Sequence, residues 1–163
     1  MIKTSQLQIR IDADQKERIR RRAQDAGMDV SKWVLRQLLP PVEERFQTLC
    51  KELAEKPSLR SYTLAELHDF FKRLEPQEFS RALQHPPAAQ LAPFAANYLA
   101  AMIEYAAAVR NVPVPEWAKN IERLETPWFA SSLQGLRLYL LTHSPPAFRR
   151  RNLFIDSSVG ERV

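Results

Sequence analysis

Polar and apolar residues alternate strictly over residues 6–11, with Gln6, Gln8 and Arg10 on one face and Leu7, Ile9 and Ile11 on the other. A period of two is the pattern of a half-buried strand. The period then lengthens. Ile19, Ala23 and Ala26 recur at helical spacing, Asp12 and Asp14 are N-cap candidates, and Gly27 is a stop signal, which predicts a helix over 14–26. After the turn Gly27-Met28-Asp29-Val30, Ser31 is positioned to cap a second helix that turns Val34, Leu35 and Leu38 inward and ends at Pro40-Pro41. The order is strand, helix, turn, helix, within residues 1–40.

Beyond Pro41 the apolar spacing stays helical. Val42, Phe46, Leu49, Cys50 and Leu53 predict a third helix, read as a helical connector over residues 41–60. Thr63 and Glu66 have capping-box spacing ahead of an apolar face of Leu64, Leu67, Phe70, Phe71 and Leu74. A short helix over QEFSRALQ and a long one over 88–110 follow, the latter apolar nearly all round and therefore suited to a core or a helix–helix interface. Further helices are expected at 115–123, 131–142 and 145–151, giving an all-helical C-terminal domain over residues 61–163. Three glycines against twelve prolines agree with a mainly α chain punctuated by proline breaks.

A forty-residue unit with one strand cannot bury enough apolar surface to fold by itself, and its strand has two unpaired edges. A second copy supplies both missing parts. Two such strands, antiparallel across a two-fold axis, make a ribbon with an apolar face over four helices and a polar face outward. A two-stranded ribbon fits the DNA major groove, where Gln pairs with adenine and Arg with guanine.

Charge sharpens this picture. Residues 1–39 hold nine Lys/Arg against five Asp/Glu, so most of the net +5 lies in the first quarter of the chain. Local basicity is the footprint of a module that meets phosphates. The run Arg20-Arg21-Arg22 fans out over about 200° of a helix and cannot grip one ligand, so it is read as solvated.

The order of parts in residues 4–39 resembles the ribbon-helix-helix family of repressors and antitoxins. That resemblance implies a homodimer on double-stranded operator DNA, with Gln6, Gln8 and Arg10 reading bases and Lys3, Ser31 and Lys32 holding phosphates. Trp33 departs from the family, which more often has a polar residue there. The segments PEW at 115–117, ETPWF at 125–129, LRLYLLTHSP at 136–145 and AFRRRNLFID at 147–156 are similar to a domain of antitoxins paired with nucleotidyltransferase-like toxins. The implied partner is a protein toxin. Arg149, Arg150 and Arg151 are candidates to grip an acidic partner surface or a second stretch of DNA, since arginine suits both carboxylates and phosphates; the alternative is that one of them is paired internally and the others are solvated.

Other chemistry is not indicated. One cysteine precludes an internal disulfide, and His68, His85 and His143 lack zinc-site spacing. There is no Gly-rich phosphate loop or nucleophile elbow. A non-enzymatic protein without metal or cofactor is expected. Without a signal-peptide pattern or a run of about 18 apolar residues, a cytoplasmic location and no membrane partner are expected. An accessory role in plasmid partition or conjugation would use the same DNA-binding module without a toxin, and a helical adaptor whose strand only dimerises would bind no DNA.

Overall fold

The computed structural model describes residues 8–38 and 41–156, and the chain divides into two compact units, Met1–Pro41 and Val42–Val163. In the first, α1 (Ala13–Asp25) packs on α2 (Val30–Leu38). A capping box opens α1: the Gln15 N–H donates to Asp12 Oδ1 at 2.7 Å and the Asp12 N–H donates to Gln15 Oε1 at 3.3 Å. Gly27 closes it at φ 64°, with its N–H on the Gln24 carbonyl and the Met28 N–H on that of Ala23, the paired bonds of a Schellman motif.

Two details of this unit differ from the sequence reading. Asp29, not Ser31, caps α2, accepting the Lys32 N–H at 2.9 Å, and Ser31 lies inside the first turn. A carboxylate one residue before the helix is a stronger acceptor for its amides than a hydroxyl within it. Residues 8–12 belong to no helix or strand within the single chain.

The second unit is mainly helical. It contains α3 (Val42–Glu55), α4 (Arg60–Arg73), α5 (Pro76–Ala82), α6 (Pro93–Arg110), α7 (Glu116–Lys119), α8 (Arg137–His143) and α9 (Pro146–Arg149). The apolar stripe of α3 is part of its core rather than a connector: Phe46, Leu49, Cys50 and Leu53 are buried with Leu67, Phe71, Phe79, Leu99 and Ile103. Phe71 meets Phe46 at 6.2 Å and Phe79 at 5.6 Å between ring centroids, and the indole N–H of Trp117 donates to the Leu83 carbonyl at 2.9 Å. No described helix is long and apolar enough to cross a membrane.

Proline sets the helix starts that sequence periodicity misplaced. Pro93 takes the first position of α6, which begins there and not at 88 because its missing N–H needs no partner. Pro57 opens a 3₁₀ turn, Pro57–Leu59, that runs into α4, so Thr63 is interior to the helix. The expected capping box is absent. Thr63 donates its hydroxyl to the Leu59 carbonyl, and Glu66 pairs with Arg45 at 3.5 Å.

The C-terminal domain is also not all-helical. After α9 the chain turns at Asn152 (φ 58°), and β2 (Leu153–Phe154) pairs in parallel with β1 (Trp128–Phe129), Trp128 opposite Leu153. Only short helices form at the three expected tail positions, because Pro115, Pro145 and Pro146 fix their starts and these backbone bridges claim the flanks.

Arg151 organises this end of the molecule. Its guanidinium donates to Glu104 Oε1 from Nε (2.9 Å) and Nη2 (2.5 Å), to the Ala118 carbonyl (2.7 Å), to the Ile121 carbonyl (3.0 Å) and to Asn97 Oδ1 (3.3 Å). The side chains are 5% and 16% exposed for Arg151 and Glu104. Removing one partner of such a pair leaves an uncompensated buried charge, so Arg151→Ala should destabilise the protein by about 3–5 kcal/mol in urea unfolding. The double variant Glu104→Gln/Arg151→Met should lose clearly less than the two single losses added; additive losses would show that the two groups are not coupled.

Cys50 is sealed in the same core, and burial pushes its thiol up to about 12. The native protein should leave Ellman's reagent unreacted at pH 8 and react once per chain in guanidinium. Because the unfolded thiol ionises first, stability should be full below pH 9.0 and fall as pH rises toward 12. Rapid native labelling would contradict this burial.

Candidate nucleic-acid interface and partner groove

Among the described residues, the first unit leaves most of its large apolar side chains exposed or only half-buried. Ala23 is its one buried described residue, while Ile9 is 60%, Leu38 58% and Leu35 46% exposed. Gln8 and Arg10 are exposed on the segment that precedes α1, beside Ile9 and Ile11 in the alternating pattern. Lys3 and Gln6 lie outside the described residues. Arg20, Arg21 and Arg22 are all exposed, and Arg21 faces Glu17 at 3.4 Å, in keeping with a solvated helix surface.

At the start of α2 the site chemistry differs from expectation. Ser31 and Lys32 are exposed, but the Asp29 carboxylate sits over this terminus and the Lys32 ammonium lies 3.6 Å from Asp29 Oδ2. A phosphate arriving there meets an anion that already engages the cation and an amide. Trp33 is half-buried.

The three tail arginines do not act together. Arg149 and Arg150 are exposed on and just after α9, whereas Arg151 is 4% exposed and spends all of its nitrogens on internal acceptors. Arg151 is therefore not a partner-binding residue. The sequence run is split because α9 ends at Arg149 and the following turn rotates position 151 into the core.

The second unit carries a feature that the sequence reading did not identify. Between α4 and α6 lies an open groove of about 1220 Å³. Arg60, Leu64, His68 and Lys72 line one wall at intervals of four, so they form a row along α4. Phe94, Tyr98, Met102, Tyr105 and Val109 run along α6, and Trp128, Phe148 and Ile155 close the end near β1 and β2. Val109 is 67% exposed. The one signal in the sequence was that α6 is apolar on more sides than a single core contact uses.

Polar chemistry in the groove is sparse and cationic. The Arg60 guanidinium stacks over Phe94 at 5.5 Å, its Nε buried without a hydrogen-bond partner, and His68 Nδ1 is likewise buried and unpartnered. Arg110 is committed elsewhere, donating to the carbonyls of Phe71 and Leu74 at the end of α4 and of Ala106 on α6 itself. Glu75 caps α5. Burial holds the His68 imidazole below its ordinary value, with Asp69 opposing the shift and Lys72 adding to it; burial raises the Tyr98 phenol.

A second apolar surface is formed by α8 and the segment leading into it, where Leu133, Leu136, Leu138, Tyr139 and Leu141 are exposed and Leu140 is buried. His143 stacks on Tyr139 at 4.1 Å and shares hydrogen bonds with Thr142 and the Tyr139 carbonyl. Compared with protein-family models, with curated proteins and with solved structures, the chain matches none.

The His68 shift has a direct consequence for stability. Its neutral form is favoured by the fold, so the contribution is complete above pH 6.5 and is lost as pH falls below that value. Unfolding in urea at pH 7 and pH 5 should show a loss on acidification that is smaller in His68→Gln; an identical loss in both proteins would remove His68 as its source.

Proposed function

We propose that this protein is a DNA-binding repressor and antitoxin whose N-terminal unit binds operator DNA as a homodimer and whose C-terminal unit engages a protein toxin. The observation that carries the DNA-binding half is the uncovered apolar side of the first unit. Among the described residues, one copy buries Ala23 alone and leaves Ile9, Ile11, Val30, Leu35 and Leu38 exposed. Pairing two copies through residues 6–11, in the manner of ribbon-helix-helix proteins, covers these side chains and satisfies the strand edges.

The same pairing turns Gln6, Gln8 and Arg10 of both copies outward on one ribbon, and the local excess of Lys/Arg gives the unit the sign of charge that DNA attracts. Arg10 and the two glutamines read base edges. Lys3 and Lys32 contact phosphates, with Asp29 moderating the second contact. For the antitoxin half, the exposed leucines around α8 and the groove between α4 and α6 offer apolar surface of the kind that marks protein contacts, and exposed Arg149 and Arg150 supply cations for an acidic partner.

Fluorescence anisotropy on the gene's own upstream duplex and on a scrambled duplex, over a salt series, tests the DNA-binding half. Arg10→Ala should cost about 1–3 kcal/mol on the upstream duplex and relax its preference. Lys32→Ala should weaken both duplexes alike and reduce the salt slope by about one. Equal weakening of both duplexes by Arg10→Ala would refute base reading, and absence of salt-dependent binding would reduce the first unit to a dimerisation device. Co-purification with the adjacent gene product, for which a nucleotidyltransferase-like protein is expected, tests the antitoxin half.

A further inference from the structure

We infer that the groove between α4 and α6 receives an acidic, amphipathic helical segment of a partner protein. The inference rests on the partner-binding half of the function proposed above and assigns it a place on the second unit.

Size and shape point to a peptide rather than a small metabolite. The groove, at about 1220 Å³, exceeds the roughly 300–1,000 Å³ typical of small-molecule pockets. Its α6 side runs from Phe94 to Val109, which is about 22 Å of helix at 1.5 Å per residue. Apolar groups along that length stand one helical turn apart, the spacing at which a docked helix sets its own anchors. Val109 and Tyr105 are exposed, so the surface has no cover among the described residues.

Charge selects the occupant. Arg60 and Lys72 form no ion pair with a described residue, and the two other charged groups lining the groove, Arg110 and Glu75, are engaged with backbone partners. The Arg60 guanidinium, lining the groove over the Phe94 ring and without an acidic partner among the described residues, is a charged donor next to an apolar floor, an arrangement that an incoming carboxylate completes. A basic segment would bring cations against Arg60 and Lys72 with only His68 between them on the same row.

A phage-displayed library of random peptides, roughly 16 residues long to match the groove, panned on the full chain tests the inference. Enriched peptides should be net acidic with large apolar residues at spacings of three and four. By anisotropy, Val109→Glu should weaken them about tenfold or more, since it places a charge in the apolar contact. Arg60→Ala should weaken them by roughly three- to tenfold and flatten their salt dependence. Circular dichroism of both variants confirms that the fold is retained.

No enrichment, basic or unpatterned peptides, or unchanged affinity for a folded Val109→Glu variant would each overturn the inference. So would binding of dodecanoate without any enriched peptide, which assigns the groove to a small amphipathic carboxylate, or association beyond the dimer abolished by Val109→Glu, which assigns it to a second copy. If the adjacent gene product binds but enriched peptides do not displace it, the groove assignment fails and the partner reading stands. If it does not bind while the peptides do, the reverse holds.

Discussion

The buried contact between Arg151 and Glu104 ties the turn before β2 to α6, α7 and the loop beyond α7. Five donors on one planar group reach a carboxylate and an amide on α6, a carbonyl on α7 and a carbonyl in the loop beyond it. Asn97 extends the network by donating to the Pro93 and Glu122 carbonyls. A lysine could not replace this arginine, because one rotating ammonium does not reach a fork of acceptors held in different directions. With position 151 anchored, Asn152 adopts its left-handed turn, its side-chain amide holds the Leu124 carbonyl, and β2 meets β1. The end wall of the groove, Trp128 with Phe148 and Ile155, therefore depends on a charge pair that itself lies outside the groove.

The two units meet the demand for apolar burial differently. The second builds a core from α3, α4, α5 and α6 in which large side chains such as Phe46, Phe79 and Leu99 are almost wholly removed from water. The first has good local punctuation, with a capping box and a Schellman turn, yet among its described residues only Ala23 is buried. Caps contribute about 1 kcal/mol each and cannot replace a core. Helices this short gain most of their stability from packing an apolar face, so the first unit's sequence makes sense only with additional surface to pack against.

What could be read from the sequence follows the range of the forces involved. Asp12 and Gly27 were legible because capping and left-handed turns are decided within a few residues, and the stripe of α3 was legible from its period. Ser31 was misassigned because a hydroxyl and a carboxylate two residues apart compete for the same amides, and pattern alone does not rank them. Pro93 had a clear local meaning that the apolar run from 88 onward outweighed. The β1–β2 pair joins residues 25 apart in sequence through two-residue strands, too short to show any alternation. That one arginine of the run 149–151 pairs internally was among the alternatives, but which one was not legible for a related reason: the acceptors of Arg151, from Asn97 to Ile121, are scattered over the chain and none is marked by its neighbours.

The arginines show how far charge counting can mislead when folding sorts like residues to different ends. Arg149 and Arg150 stay in water while Arg151 is internal, and Arg110 closes the end of α4 by donating to its last carbonyls and lying over Phe79. Arg60 has the same stacked geometry over an aromatic ring but no acceptor for its buried Nε. Two arginines in this unit thus complete their hydrogen bonding within the chain, and a third of similar setting does not. The buried alanines of α6 show the same asymmetry on the apolar side: Ala100, Ala101 and Ala107 let its neighbours approach closely, while Tyr105 and Val109 on the same helix stand in solvent. An unfinished donor and an unfinished apolar row, meeting along one groove, are a stronger indication of binding than either feature alone, because a ligand that satisfies one is placed to cover the other.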